Sequence, residues 1–437
     1  MHDLIEEALQ PGNFIAWDEG MAFVSELREV ERQIEVVSCS DPARAVELFE
    51  SFIAGCNEKA EEIDDSDGEL GAFAGGLFLG WIKARQAASA DHDETIRLLL
   101  AWMDDDPYGF CNDLGCQAAT VLDRPGLAAF ERQARARFDA ALSAGSQKQD
   151  PRLNFAIGQW GGMLKAVYAR QRAIQKYIDL TAETGLSEAD CEAVATMFQA
   201  RRKLNHALVW VERGLKVERL GAFGGGAGYR LPDMRRALLV KLGRGGEALD
   251  SAWAEFKAHP GESTYEGLLR YVPKAQRPEW HEKAMAAAEK GDLASLIELW
   301  LSAKEVGRLA ERLERATNAH LESLSHYVTE PAAKRLAKTH PAVSAKVFRA
   351  LCVRILKAGK SNHYFAALSN LEKARDCYRK AGLDAEWQAL TAEIRHQHHR
   401  KSSFMPGFER IVTGSVSRRE PSFLDRARRR WGRHGNS

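Results

Sequence analysis

The chain has 437 residues, 45% of them hydrophobic and 28% charged, with 61 basic and 61 acidic side chains that cancel to a net charge of zero. That length suffices for about three ordinary domains or one long repeat array. With only 13 prolines, few β-branched runs and helix formers throughout, the composition argues against a large sheet and so against most nucleotide-binding α/β folds.

The opening MHDLIEEALQPGNF has acids where an export signal has bases, and no apolar run, so a soluble cytoplasmic protein is expected. Asp41-Pro42 predicts a helix start, with Ala45, Val46, Phe49, Phe52 and Ile53 on one face and the proline at an early position where its missing N–H does no harm. Ser66 and Glu69 have capping-box spacing and predict the head of the next helix, which runs into Phe73, Leu77, Phe78 and Trp81. Inside it lies the uncharged stretch 71–82, which at 12 residues is too short to cross a bilayer and reads as a buried helix.

Helical spacing continues near 93–104, 126–143, 152–183, 187–200, 203–216, 233–242, 245–258, 262–272, 277–289, 291–302, 304–315, 330–339, 341–358, 361–381 and 384–400. The expected fold is all-α, an α-solenoid of stacked helix pairs that is tetratricopeptide-like near 187–258. In one such pair Ala195 and Phe198 precede a turn at Arg201-Arg202-Lys203, and Ala207, Val211 and Gly214 put small side chains where two helices must approach. In a second, Leu239 leads through Leu242-Gly243-Arg244 to Glu247-Ala248-Leu249. Between the pairs, the glycine-rich 221–228 lacks both the Lys-Ser/Thr of a phosphate loop and a preceding strand, and reads as an inter-repeat loop.

The zero net charge hides a gradient. Residues 1–150 hold 12 basic and 30 acidic side chains, whereas 395–437 hold 11 basic and 3 acidic. Three regions are therefore expected: an acidic helical region, 1–150; a helical-repeat region, 151–411; and a basic flexible tail, 412–437. Opposed potentials also predict that the tail docks on the acidic third, within one molecule or between two. The seven cysteines are scattered and read as reduced, buried thiols.

Four segments carry a resemblance: IDDSDGELG at 63–71, DPYG at 106–109, WVERGL at 210–215 with Gly243-Arg244, and Ile394-Arg395 leading to His399-Arg400-Lys401. In this order they resemble a bacterial family, the helical domain of unknown function found C-terminal in SWIM-type zinc-finger proteins and as stand-alone chains. The resemblance spans about residues 41–405 and implies a helical fold but no activity. The finger's C-x-C and C-x-H pattern is absent, so its nucleic-acid role is not implied.

Two acidic clusters stand out, Asp64, Asp65, Asp67 and Glu69, and Asp104, Asp105 and Asp106. They have the oxygen chemistry of a divalent-cation site, but Ile63 stands where a calcium loop needs its first ligand, and helix capping accounts for Asp67 and Glu69. No metal and no cofactor are expected. His396, His398 and His399 lie among Arg395, Arg400 and Lys401, which repel a cation, so that tract reads as a basic helix surface. The tail segment SFLDRARRRWGR sets Phe423, Leu424, Ala427 and Trp431 against Arg426, Arg428, Arg429 and Arg430, the pattern of a basic amphipathic segment.

No catalytic constellation is complete, which favours a non-enzymatic helical-repeat scaffold whose concave face binds a protein or peptide, with the acidic and basic clusters as candidate interaction sites. The alternatives are nucleic-acid binding through the basic C-terminal third and, last, a metal-dependent hydrolase built on the aspartates. Oligomeric state is not legible.

Overall fold

The computed structural model describes residues 1–145, 151–217 and 227–414. Among these there are 23 α-helices and no strand, so the all-α expectation holds. The chain divides into two compact units, Met1–Gly243 and Arg244–Ser437.

The first unit comprises α1 (His2–Leu9), α2 (Gly20–Ser40), α3 (Pro42–Lys59), α4 (Glu69–Ala87), α5 (His92–Asp104), α6 (Leu114–Val121), α7 (Arg124–Gly145), α8 (Pro151–Gln171), α9 (Ile174–Thr184), α10 (Glu188–Ala200), α11 (Leu204–Gly214) and α12 (Ala227–Lys241). Each packs chiefly on helices one or two places away in the chain, which is the nearest-neighbour stacking of an α-solenoid. The core is aromatic. Phe49 fills the space opposite Gly80, where a Cβ would come within 2.6 Å of its ring. Phe52 meets Phe73 at 5.4 Å, and Trp81 meets Trp102 at 4.6 Å while donating to Glu50 at 2.9 Å. Position 150, expected as a boundary, falls inside this unit, because α7 and α8 on either side pack on each other.

The second unit comprises α13 (Gly245–Ala258), α14 (Glu262–Leu269), α15 (Arg277–Ala288), α16 (Leu293–Ser302), α17 (Val306–Arg315), α18 (Asn318–Ser323), α19 (His326–Leu336), α20 (Pro341–Ala358), α21 (Tyr364–Ala381), α22 (Asp384–His398) and α23 (Met405–Thr413). Its densest packing joins α20 to α21, around Phe348, Leu371, Phe404 and Phe408.

One turn recurs in both units. At Ser89, Arg172, Arg202, Lys304 and Gly382 the backbone turns left-handed, with φ of 54°, 54°, 57°, 64° and 69°. In every case the next amide reaches back five residues, Ala90 to Arg85, Ala173 to Tyr168, Lys203 to Phe198, Glu305 to Trp300 and Leu383 to Tyr378, at 2.8–3.0 Å. This is the Schellman closure that reverses a helix within three residues. Four of the five positions are not glycine, so the turn is held by the packing of the two helices it joins. That is why 152–183, expected as one helix, divides into α8 and α9 at Arg172. The turn expected at Arg201–Lys203 is of this kind, and Gly214 there sits where a Cβ would meet Cys191 and Leu231 at 2.7 and 2.8 Å. The second expected pair is divided instead, α12 closing the first unit and α13 opening the second.

The capping box at Ser66 does not form. Gly68, at φ 74°, precedes α4, and Asp65 takes the first-turn amides of Leu70 and Gly71 at 2.8 and 3.0 Å. A carboxylate five residues upstream thus replaces the expected Ser–Glu exchange. At α3 Asp41 accepts from the Arg44 amide at 3.0 Å, with Pro42 in the first turn.

Glu31 on α2 is half-buried, and burial, then Glu35, raise its carboxyl above the ordinary 4.5 against the pull of Arg28 and Lys83. The folded state therefore holds this proton more tightly, and the stability it confers is full below pH 4.5 and is lost as pH rises through the folded value. Glu31→Gln is expected to raise the thermal midpoint at pH 7 and to leave it unchanged below pH 4.5; calorimetry at both values checks this.

Candidate functional site

Three loops meet at one edge of the first unit. Residues 10–19 join α1 to α2, 60–68 join α3 to α4, and 105–113 join α5 to α6. An isolated parallel bridge ties Ile15 to Ile63, with the Ile15 amide donating to Glu62 at 2.9 Å and the Asp64 amide to Ile15 at 3.0 Å. Beneath it the buried Lys59 ammonium donates to the carbonyls of Gln10, at 3.0 Å, and Asn13, and to the Glu62 carboxylate at 3.3 Å. Glu62 also accepts the Gly12 amide. The third loop joins through Tyr108, whose hydroxyl donates to Glu61 at 2.9 Å, and through Phe110, which lies against Gly71 and Gly75. That bond, with the Glu61 charge, raises the Tyr108 pKa, so the phenol stays protonated.

The two predicted acidic clusters are thus on neighbouring loops, but their carboxylates do different things. Asp65 and Asp106 turn inward as caps, Asp106 accepting from Phe110 at 2.9 Å and Cys111 at 2.7 Å. Asp64 accepts from Ser66, Asp67 from the Glu69 amide at 3.4 Å, Glu69 pairs with Arg28 at 3.6 Å and Asp104 with Arg137 at 2.7 Å. Asp64, Asp67, Asp104 and Asp105 are exposed. Among the described residues no group of three or more His, Cys, Asp or Glu converges as a metal site. On the 10–19 loop and at the head of α2 stand Phe14, Trp17 and Met21, 62%, 59% and 68% exposed, which sequence reasoning did not single out.

All seven cysteines are free; five are buried and Cys39 and Cys116 are exposed. Burial, with Asp106, pushes the Cys111 thiol up to about 12, and burial with Asp113 raises Cys116, so neither supplies a thiolate near neutral pH. No helix among the described residues is long and apolar enough to cross a membrane.

Of the basic cluster, Arg395 makes a two-pronged pair with Glu409 at 2.9 and 2.8 Å and lies over the Phe408 ring. Lys401 donates to the Tyr364 hydroxyl at 3.1 Å, and Arg400 is exposed. Arg426, Arg428, Arg429, Arg430 and Trp431 lie outside the described residues, as does most of 221–228.

The sequence pattern of a family of unknown function, DUF6880, matches residues 8–406, nearly the whole chain. The chain belongs to that family. No curated protein matches it. Among solved structures, a chain from one titled Naa15/Naa10 bound to HypK-THB is similar, with a TM-score of 0.33 and 14% identity, covering 97% of this chain and 70% of that one.

This DUF6880 chain holds one further cluster that sequence reasoning missed, in the second unit. The buried Tyr265 hydroxyl meets His281 Nδ1 at 2.6 Å, and His281 Nε2 meets Glu305 at 3.0 Å. Burial, then Glu305, raise the Tyr265 pKa. Glu305 is in turn held by Arg308 at 3.4 Å. Beside it Lys283 lies over the rings of Trp280 and Trp253 at 4.1 and 4.8 Å. The nearby cleft of about 640 Å³ is lined by residues such as Lys257, His259 and Lys290, with none of the Tyr–His–Glu chain among them. The chain therefore ties α14, α15 and the head of α17 together. No spacing rule links these three residues, which meet only through helix packing.

Proposed function

We propose that the protein is a cytoplasmic helical-repeat scaffold that binds a protein partner, and that the acidic, aromatic edge of its first unit receives a basic segment carrying an apolar anchor. The observation behind this reading is the Ile15–Ile63 bridge, which joins the loop carrying exposed Phe14 and Trp17 to the loop carrying exposed Asp64 and Asp67. Large aromatic side chains supply most of the binding energy at protein interfaces, and surrounding charge steers encounter and selects the partner. The nearest-neighbour helix stacking supplies a rigid frame for the three loops.

The chain's own segment 422–433, SFLDRARRRWGR, is a ready probe of the required chemistry. As a labelled peptide it is expected to bind the full-length protein at low salt. Trp17→Ala should weaken binding by about 30-fold, the effect of losing an aromatic hot spot. Asp64→Asn with Asp67→Asn should slow association and flatten its salt dependence. Equal affinity of wild type and Trp17→Ala in anisotropy titrations would overturn the reading.

A further inference from the structure

Two segments free of acidic residues, 354–365 and 395–404, carry Arg354, Lys357, Lys360, Arg395, Arg400 and Lys401 together with four histidines. The fold of the second unit joins them. Besides donating to Tyr364, Lys401 lies over that ring at 5.5 Å. The Tyr364 ring meets Phe404 at 5.8 Å, and its hydroxyl donates to the Gly359 carbonyl at 3.4 Å. The Lys401 ammonium also lies 3.9 Å from where a Cβ on Gly359 would stand, next to Lys360 in the chain, and burial with Lys401 and Lys357, against Glu393, holds His398 below its ordinary pKa.

Three carboxylates stand at this surface: Glu322 takes Lys357 at 2.6 Å, Glu409 takes Arg395, and Glu393, which acts on His398, is paired with Arg349 at 3.1 Å. Among the described residues no carboxylate is ion-paired with Lys360, Arg400 or Lys401. At the start of α21, next to Tyr364, Phe365 is 84% exposed. It is the one exposed large apolar side chain of the two segments. A membrane-binding face needs several apolar side chains in a row. A lone aromatic among uncompensated cations is instead the arrangement that stacks a base and tracks a phosphate chain.

We propose that this surface of the second unit binds single-stranded nucleic acid, with Lys360, Arg400 and Lys401 on phosphates and Phe365 stacked on a base. The surface belongs to the second unit and the acidic edge to the first, and neither proposal depends on the other.

Anisotropy titration of the full-length protein with a fluorescent oligothymidylate of about 20 nucleotides tests it. Three phosphate contacts on a single strand give a log–log salt slope of about −2, so a fivefold rise in salt should weaken binding by about 30-fold. The double variant Lys360→Glu, Arg400→Glu should lose at least about tenfold in affinity and show a shallower slope. Phe365→Ala should lose about tenfold while keeping the wild-type slope, because stacking releases no counterions. All three side chains are exposed, and thermal melts confirm that the variants fold. The proposal is overturned by absent binding, or by unchanged affinity of the double variant, which would move the contact to the arginines of the tail. It is equally overturned if duplex or anionic vesicles bind as tightly and Phe365→Ala has no effect.

Discussion

Replacing Asp190 with Ala is expected to destabilise the first unit by about 3 kcal/mol, the low end of the cost of breaking a buried ion pair. The carboxylate is buried between α8, α9 and α10 and satisfies four donors. It accepts from Lys165 at 3.0 Å, from the Tyr177 hydroxyl at 3.0 Å, and from the Ser187 amide and hydroxyl at 2.9 and 2.7 Å. Its own amide donates back to Ser187 at 3.1 Å, completing the capping box at the head of α10. Removing it leaves a Lys165 charge that is 19% exposed and a Tyr177 hydroxyl with no acceptor in a site closed to water. Asp190→Asn keeps the shape and part of the hydrogen bonding, and should lose only about half as much. Urea denaturation of wild type and both variants measures the difference. A loss below about 1 kcal/mol for Asp190→Ala would mean that the network is not closed to water.

Lys59→Met should cost about 2–3 kcal/mol, even though Met fills nearly the same volume. The Lys59 side chain is 1% exposed, and its three protons go to Gln10, Asn13 and Glu62. Without them the Gln10 and Asn13 carbonyls lose the donor that ties their loop down, and Glu62, which is 36% exposed, turns to water. The consequence reaches the proposed binding edge, because the loop that Lys59 holds is the one carrying Phe14 and Trp17. Peptide binding should therefore weaken together with stability, whereas Trp17→Ala should weaken binding and leave the denaturation midpoint nearly unchanged. The two variants thus separate positioning of the loop from contact with the partner.

The legible part of this protein is local. Local signals place the starts of α3 and α4, and both ends of α5, α7, α10, α11, α13, α15, α16, α17, α20, α21 and α22, within a few residues of those observed, because a helix face that will be buried must repeat every three to four residues wherever it packs. The helices α1, α2, α6, α18 and α23 went unread. Among these, α2 has its apolar positions thinned by exposed acids, and α6 and α18 are only eight and six residues long. The break at Arg172 was illegible for another reason: a left-handed arginine carries no signature like that of Gly382, and is held there by the helices on either side.

The candidate sites divide in the same way. By itself the sequence determined the helical class, the charge gradient and which residue types are concentrated where, since these depend on composition and on neighbours within a turn or two. Only the tertiary structure decided which carboxylates face inward as caps and which face water. It alone bridged Ile15, in the loop of Phe14 and Trp17, to Ile63, next to Asp64, and brought Lys401 to Tyr364. Those pairings join residues tens of positions apart, and long-range packing, which no local periodicity encodes, sets them.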